Sequence, residues 1–259
     1  MKDALGDRMK EFYENVYRIH LTRRTPVILR LDGKSFHTYC KSLKDRFNKG
    51  FMRCMDLTAI RLMGEIQGAQ LAFVQSDEIS ILLHDYKKLT SEAWMKNNIQ
   101  KMVSISAAIA SVEFTKNSPI IWGFKELDDG SSIPITKEAY FDSRVFTIPE
   151  AEVCNYFIWR QNDATRNSIL SLGQSLFSHK QLQGLNCSII QDICHDKGHN
   201  WNDLPTSHKR GRCIVKKYHN FVSEGGVETI RSKWVVDEEI PIFTQDRNYI
   251  NKYLAVDNS

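Results

Sequence analysis

The sequence predicts an α+β fold of the ferredoxin-like type, an antiparallel sheet with helices packed on it. Over residues 25–148, strand-like and helix-like patterns follow in the order strand, helix, hairpin, helix, strand. This order is the split β-α-β-β-α-β arrangement. A chain of 259 residues that is 42% hydrophobic can bury a substantial core. Since no Pro-, Gly- or Ser-rich linker divides it, we predict one catalytic domain over 1–259.

The elements of the first half follow from the spacing of apolar residues. Short β-branched or alternating runs predict strands, and apolar residues three and four positions apart predict helices. The predicted elements are a strand over 25–31, a helix over 47–66, a hairpin of 69–74 and 79–84, a helix over 91–114 and a strand over 139–148. Together they form a core of about residues 1–148.

The second half predicts a helical and β-hairpin extension over about 149–259. Its elements are helical stretches over about 150–177 and 178–193, strands over 212–219 and 227–236, and a closing helix over 246–254. Between residues 178 and 219, seven Lys and Arg side chains accompany three Asp, with aromatic residues interleaved. A basic stretch of this kind suits the phosphate backbone and exposed bases of RNA, although a merely basic surface is the alternative.

Two acidic signals fall at the ends of neighbouring predicted strands. Asp32 ends the first strand before Gly33, and Asp77 lies at the hairpin tip beside Glu78. Paired carboxylates suit two Mg²⁺ ions shared with a nucleoside triphosphate, which activate an attacking hydroxyl and stabilise the leaving oxygen at phosphorus. Glycine permits close approach to the backbone, so the Gly33 carbonyl is a further candidate ligand. Ordinary turn residues are the alternative for either motif alone.

Cations for a triphosphate follow the first acid, at Lys34, Lys44 and Arg46. Glu78 follows Asp77 in an extended segment, so its side chain should face the other way, and we assign it a supporting catalytic role. On the first helix of the extension, residues 160, 163 and 167 share one face. They are either a salt-bridge scaffold or contacts to a base or phosphate.

Several classes of protein are disfavoured. No apolar run reaches the length of a membrane span, and the charged N-terminus does not resemble a signal peptide, so we expect a cytoplasmic protein. None of the six cysteines forms a Cys-x-x-Cys motif. Cys187, Cys194, His195 and His199 form a local group, but their spacing is a weak indication of zinc.

The chain resembles the tRNA-His guanylyltransferase superfamily at five motifs that occur in the family's order. They are Arg30 to His37, Gln75 to Ser80, Phe141 to Val145, Asn155 to Ala164, and Lys209-Arg210-Gly211. The resemblance implies a polymerase-palm-like fold and a tetrameric nucleotidyltransferase that extends the 5′ end of tRNA, opposite to ordinary polymerases. ATP or GTP activates the 5′-monophosphate, and the 3′-hydroxyl of an incoming nucleotide then attacks it.

The resemblance also implies roles for individual residues. Metal ligands would be Asp32, the Gly33 carbonyl and Asp77. Nucleotide-binding residues would be Lys34, Ser35, Phe36, His37, Ser76 and Asp77, with Lys44 and Arg46 as candidates. The tRNA-binding candidates are Arg160, Asp163, Asn167, Lys209 and Arg210.

One departure from the family pattern selects a branch. Eukaryotic members that add the extra G to tRNA-His carry His-Ile-Asn-Asn where this chain has Thr165-Arg166-Asn167-Ser168. The chain is similar instead to guanylyltransferase-like proteins, which repair 5′-truncated tRNA by copying the opposing strand. Addition of G to tRNA-His is the first alternative. Two further alternatives remain. A nucleotide cyclase is disfavoured by the basic segment, and a non-catalytic RNA-binding protein on a palm fold is disfavoured by the retained acids.

Overall fold

The centre of the molecule is a six-stranded antiparallel sheet with the strand order β6-β1-β3-β2-β7-β8. The structure, a computed structural model, describes residues 3–43, 45, 47–222 and 228–255. The sheet strands are β1 Val27–Gly33, β2 Ala69–Gln75, β3 Glu78–Leu83, β6 Phe141–Thr147, β7 Arg212–Val222 and β8 Glu228–Asp237. A separate small hairpin, not predicted from the sequence, pairs β4 Phe124–Glu126 with β5 Ser132–Pro134.

Helices precede, connect and follow these strands. They are α1 Ala4–Met9, α2 Phe36–Tyr39, α3 Lys49–Glu65, α4 Ile99–Asn117, α5 Pro119–Trp122, α6 Glu150–Leu176, α7 His179–Leu182, α8 Cys187–Asp196, α9 Thr206–Arg210 and α10 Asn248–Asn251. None of the helices in the described ranges is both long enough and apolar enough to span a membrane.

Three helix predictions needed correction, two of them for a local backbone reason. The helix predicted over 91–114 begins only at Ile99, because residues 95–97 take positive φ values that an α-helix does not allow. The stretch predicted over 178–193 is divided into α7 and α8, with Gly184 at a positive φ of 79° between them. The closing helix is a single turn, α10, rather than 246–254.

Helices cover both faces of the sheet. Alternation along β1 directs Val27, Leu29 and Leu31 into a core formed with α3 and α4. Ile28 points the other way, into a second core under α6. The split pattern predicted helices on one face, and the long helix after Pro149 covers the other. Because both faces are covered, all six residues of β3 are buried.

The late strand pair joins the central sheet instead of forming a separate unit. β7 pairs with β2 from Val74 opposite Arg212 to Ala72 opposite Ile214. Beyond Ile214, β8 is the one strand among the described residues that pairs with β7. We call this two-stranded part, residues 215–222 and 228–235, the ribbon.

Candidate active site

Three carboxylates form a row across the sheet on the face covered by α6. Asp32 of β1 pairs in register with Glu78 of β3 on one side and with Asp142 of β6 on the other. Directly paired residues of an antiparallel sheet project to the same face. Arg144, on β6, places Nη2 3.2 Å from Asp142 Oδ1 and 4.0 Å from Asp32 Oδ2. The sequence assigned no role to Asp142 or Arg144, although both lie in a motif that pairs with the Asp32 strand.

The tip of the β2–β3 hairpin brings the second predicted acid to the same edge. Ser76 and Asp77 form a two-residue turn, with Ser76 at a left-handed φ of 46°. The Gly33 amide donates a hydrogen bond of 3.1 Å to the Asp77 carbonyl, which ties the end of β1 to the turn. The prediction that Asp32, Gly33 and Asp77 lie together therefore agrees with the backbone geometry.

The negative charge of the Asp77 carboxylate is offset by few groups among the described residues. Burial is the largest cause of a raised pKa of Asp77, and the negative charge of Asp32 raises it further. The Ser76 hydroxyl donates a hydrogen bond of 2.8 Å to Asp77 Oδ1, which opposes the rise. No ion pair with Asp77 occurs among the residues that the structure describes. A partly buried carboxylate that lies beside a second acid and has no ion pair of its own has the chemistry of a divalent metal ligand.

The backbone at Gly33 leaves no space for a side chain. A Cβ atom added there would lie 2.3 Å from the ring of Phe36, far inside van der Waals contact. Glycine is therefore required for β1 to end beside the turn. The residues fit Mg²⁺, since Asp32 and Asp77 offer carboxylate oxygens and Gly33 offers a carbonyl. Nowhere in the described ranges do three or more His, Cys, Asp or Glu side chains form a metal-binding group, so any such site combines two side chains with backbone and substrate oxygens.

The loop after Gly33 presents polar groups to solvent from a rigid base. Ser35 has a left-handed φ of 57°, and Lys34, Ser35 and His37 are exposed. Phe36 is buried, and its ring contacts Tyr39, whose ring centroid is 5.1 Å away. Phe36 thus anchors the loop through its side chain, whereas its neighbours are open to a ligand. The other two predicted nucleotide-binding residues, Lys44 and Arg46, lie outside the described residues.

Glu78 differs from Asp77 because arginine side chains offset its negative charge. Its side chain is 5% exposed, and its two oxygens accept from Arg160 Nε at 2.8 Å and Arg30 Nη2 at 3.0 Å. The ring of Trp159 lies 4.2 Å from the Arg160 guanidinium carbon and 5.6 Å from that of Arg30. Glu78 therefore holds two arginines below α6.

Comparison with known proteins shows the family to which the chain belongs. The model of the tRNAHis guanylyltransferase (Thg1) family matches residues 6–149, more than half of the 259 residues. The chain belongs to this family. A tRNA(His) guanylyltransferase of Schizosaccharomyces pombe is 28% identical over 221 residues, covering 79% of this chain and 78% of that protein. Since these relatives are nucleotidyltransferases, the predicted enzyme class is confirmed.

Solved structures confirm the predicted α+β fold of the Thg1 family. A bacterial Thg1-like protein in complex with ATP has a TM-score of 0.84 and 42% identity, covering 98% of this chain and 100% of that one. A second such structure, in complex with GTP, has a TM-score of 0.76 and 39% identity, covering 97% and 99%. The Saccharomyces cerevisiae enzyme shares the fold at 21% identity, with a TM-score of 0.62, covering 92% and 100%.

The predicted tRNA contacts on α6 form an internal network in this Thg1-family protein. Arg160 is 3% exposed, and its Nη2 donates to Asp163 at 2.7 Å. Asp163 also accepts from Arg166 and from Asn167 Nδ2, the latter at 3.4 Å. Burial alone would raise the pKa of Asp163, but the positive charges of Arg160 and Arg166 outweigh it and lower the pKa. The geometry fits the scaffold alternative for Arg160, because its guanidinium is covered.

The late basic turn of the Thg1-family chain divides into surface and buried parts. Lys209 donates to the Asn202 carbonyl at 2.6 Å, and Arg210 is half-buried. Arg212, counted in the basic segment, is 2% exposed and pairs with Asp56 inside the fold. Arg212 therefore fixes β7 against α3 and does not contribute to a basic surface.

A cavity of about 110 Å³ opens beside Ser76 of this Thg1-family protein. It lies between the start of α3, the second half of α6 and the α9 turn, and the rings of Phe47 and His208 stack at 5.0 Å. Burial is the main cause of a lowered pKa of His208. Sequence reasoning missed this cavity because its lining comes from four distant segments. Its polar lining includes Asn48, Gln75, Ser76, Asn167, Ser168, Ser171, Ser207 and His208.

The weak zinc indication gains no support in this Thg1-family chain. Cys194 is fully buried in a small core with Ile190, and burial raises the pKa of its thiol. No metal-binding group of His, Cys, Asp or Glu occurs within the described part of the chain, which includes Cys187, His195 and His199. Cys194 is an apolar filler.

Proposed function

We propose that this protein adds nucleotides to the 5′ end of truncated tRNA in the 3′–5′ direction, copying the opposing strand. The observation that carries the proposal is the pair of acids Asp32 and Asp77, tied together through Gly33 in a member of this family, in which Asp77 has no ion pair within the described residues. Such a pair binds the two Mg²⁺ ions that we propose as cofactors. ATP and GTP are the proposed substrates, supported by bacterial relatives whose structures contain one or the other.

The proposed reaction has two displacements at phosphorus. The 5′-monophosphate oxygen of tRNA attacks the α-phosphorus of ATP, which releases pyrophosphate and leaves an adenylylated 5′ end. The 3′-hydroxyl of the incoming nucleotide then attacks the tRNA 5′-phosphorus and releases AMP. A 5′-triphosphorylated tRNA enters at the second displacement and releases pyrophosphate.

The chain's own residues supply ligands and position. Asp32, Asp77 and the Gly33 carbonyl would hold Mg²⁺, which lowers the pKa of the attacking hydroxyl and stabilises the leaving oxygen when bound. Lys34 and His37, exposed on the following loop, are placed to contact phosphates. The cavity beside Ser76 offers hydroxyl and amide groups to a nucleotide. Glu78 keeps Arg30 and Arg160 in position behind the acids.

The choice of the guanylyltransferase-like branch rests on the sequence of α6 and on the percentage of residues identical to known relatives. The bacterial Thg1-like proteins are 42% and 39% identical to this chain, whereas the S. pombe guanylyltransferase is 28% identical. Ser168 is 5% exposed and accepts a hydrogen bond of 3.0 Å from Trp201 Nε1. Position 168, which is Asn in the eukaryotic motif, therefore holds a buried Ser that packs against Trp201 in this chain. Addition of G to tRNA-His, the activity named for the curated relatives, is the second candidate.

The decisive experiment offers the enzyme a tRNA that lacks its first nucleotide, with Mg²⁺, ATP and labelled nucleotides. We expect 5′ extension whose product follows the opposing base when that base is changed. Addition of G alone, confined to tRNA-His, would instead support the second candidate. Absence of extension from both monophosphorylated and triphosphorylated ends, with tRNA binding retained, would support the non-catalytic alternative.

We further propose a homotetramer in the cytoplasm. Large apolar side chains of the N-terminal segment are exposed, among them Leu5 at 61%, Phe12 at 62% and Tyr17 at 70%. An apolar surface of this kind is typical of an interface between proteins. Light scattering should give the mass of four 30.0 kDa chains, and a monomer would contradict this part of the proposal. Microscopy of a tagged copy tests the location.

A further inference from the structure

A short segment before β6, residues 137–141, is fixed to the C-terminal part of α4 by hydroxyl groups. The backbone amides of alternate residues of the segment each donate to a hydroxyl oxygen of the helix or of the residue after it: Lys137 to Ser118 Oγ at 2.9 Å, Ala139 to Thr115 Oγ1 at 3.0 Å and Phe141 to Ser111 Oγ at 3.0 Å. The three hydroxyl groups are four and three positions apart, so they share one face of the helix. We call this segment, which therefore has a rigid base, the strap.

The strap holds both ends of the loop that carries the proposed phosphate-binding residues. At the start of the loop, the Lys34 amide donates to the Tyr140 carbonyl at 2.8 Å. At its other end, the Lys137 ammonium donates to the Tyr39 carbonyl at 2.9 Å, and the Tyr39 hydroxyl donates to the Lys137 carbonyl at 3.3 Å. The exposed side chains of Lys34 and His37 thus lie between two points of attachment to one segment.

The Lys137 ammonium is surrounded by aromatic rings. It lies 4.1 Å from the centroid of the Trp122 ring and 4.5 Å from that of the Tyr39 ring. Trp122 Nε1 donates to the Tyr39 hydroxyl at 2.9 Å, which fixes the two rings relative to each other. No carboxylate pairs with Lys137 among the residues that the structure describes. Because its donor is an ammonium, the hydrogen bond to the Tyr39 carbonyl is charge-assisted and stronger than one between neutral groups.

We infer that Lys137 is a positioning residue for nucleotide binding, which holds the loop from Lys34 to Tyr39 in the conformation that receives the triphosphate of ATP or GTP. A loop that is ordered before its ligand arrives loses less conformational entropy on binding. Phe36 anchors the middle of the loop by burial, so loss of Lys137 loosens one end and leaves the core in place. The inference rests on the proposed function for the identity of the ligand.

The test removes the ammonium and measures ATP binding, kinetics and loop order separately. Lys137→Met keeps the length of the side chain, and it should raise the Kd for ATP with Mg²⁺ about tenfold in calorimetry. The KM for ATP in 5′ extension should rise by about the same factor, with kcat within about twofold of wild type. Amide hydrogen exchange should become faster over residues 34–40 and stay unchanged in β1 and α3. The Tm should fall by less than about 4 °C, as for the loss of one hydrogen bond.

Two further variants complete the test. Lys116→Met removes the same charge from an exposed position on α4 and should leave the Kd within about twofold of wild type. Tyr39→Phe keeps the ring but removes the hydroxyl that contacts the strap, so it should weaken ATP binding about threefold. It also tests the same contact if Lys137→Met does not fold.

Several outcomes would overturn the inference. They are an unchanged Kd for Lys137→Met, or for Tyr39→Phe if Lys137→Met does not fold, and an equal loss of affinity for Lys116→Met. Weaker binding with unchanged exchange over residues 34–40 would also overturn it, because Lys137 would then contact the phosphate itself. Faster exchange throughout the sheet would show a general loss of stability instead of positioning. Wild-type protein that binds ATP and responds to Lys137→Met as expected, but never extends tRNA, would overturn only the proposed function.

Discussion

Asp77 and Glu78 are adjacent in the chain yet occupy opposite electrostatic environments. Burial raises the pKa of both carboxyl groups. At Glu78 this effect is opposed by two arginines, Arg160 and Arg30, which approach to 2.8 and 3.0 Å. At Asp77 the charge that acts on the carboxyl group is that of another acid, Asp32, which raises the pKa further. One carboxylate is satisfied by the protein and its neighbour is not.

The difference separates two roles that the sequence grouped together. A buried carboxylate with two arginines is already neutralised, so its removal should disturb the structure. A carboxylate facing a like charge costs stability and persists where binding needs it. The comparison therefore predicts that Asp77 acts on the substrate side of the site, whereas Glu78 acts through the residues that it holds.

The largest expected effect is on catalysis. Asp77→Asn or Asp32→Asn should reduce 5′ extension by on the order of 10³ or more, because a principal charge-stabilising site is lost. The affinity for tRNA should change less than threefold. Single-turnover extension and filter binding measure the two quantities. Asp142→Asn is the matched control, since it removes a carboxylate from the same row without touching the proposed ligands. Extension within tenfold of wild type for either Asp32 or Asp77 would contradict the two-metal assignment.

The next effect is on stability, at the compensated acid. Glu78→Gln leaves the half-buried Arg30 without its anion and removes one of the two carboxylates that the buried Arg160 contacts, and it should cost about 3–5 kcal/mol of unfolding free energy. Urea denaturation measures this loss. Glu65→Gln is the control, because it breaks the exposed Arg61–Glu65 pair and should cost less than about 0.5 kcal/mol. Equal losses for the two variants would show that the arginines under α6 do not depend on Glu78.

A smaller effect concerns pH. Because the pKa of Asp77 is raised, its carboxylate protonates at a higher pH than an ordinary Asp, and Mg²⁺ must compete with that proton. Extension at limiting Mg²⁺ should therefore decline as pH falls, and saturating Mg²⁺ should move the decline to lower pH. Rate profiles between pH 5 and pH 8 at two Mg²⁺ concentrations test this. If the loss of rate at low pH does not shift with Mg²⁺ concentration, the group whose protonation causes it is not Asp77.

The smallest effect is stabilisation of the metal-free protein. A carboxyl whose pKa is raised on folding stabilises the fold below its unfolded pKa, and this contribution is lost as pH rises through the folded pKa. At pH 7.5 with EDTA, Asp77→Asn should therefore raise the Tm by about 2–4 °C, the shift that about 1 kcal/mol produces at this size. Added Mg²⁺ should raise the Tm of wild type and not of the variant. A lower Tm in EDTA would mean that the carboxylate has an internal partner.

Some strands and helices could be predicted from the sequence and others could not, depending on whether local composition determines them. Runs such as Val27–Gly33 and Glu78–Leu83 were recognisable because buried strands select continuous apolar residues. The start of α4 was not, since residues 95–97 are not glycines and nothing in their composition signals the positive φ values that they adopt. The residues that we propose as metal ligands were recognisable from Asp-Gly and Ser-Asp at strand ends. Asp142 and Arg144 were not assigned, because a role for them appears only when β6 pairs with β1.

By itself, the sequence determined the α+β class, the family and the two acids that we propose for the site, because apolar periodicity and short motifs are local properties. Tertiary structure decided which acid is neutralised, since Arg30 and Arg160 reach Glu78 only when α6 lies over the sheet. It also decided that β7 and β8 extend that sheet and leave it as the ribbon. Charge compensation depends on distances between residues far apart in the chain, and only folding sets those distances.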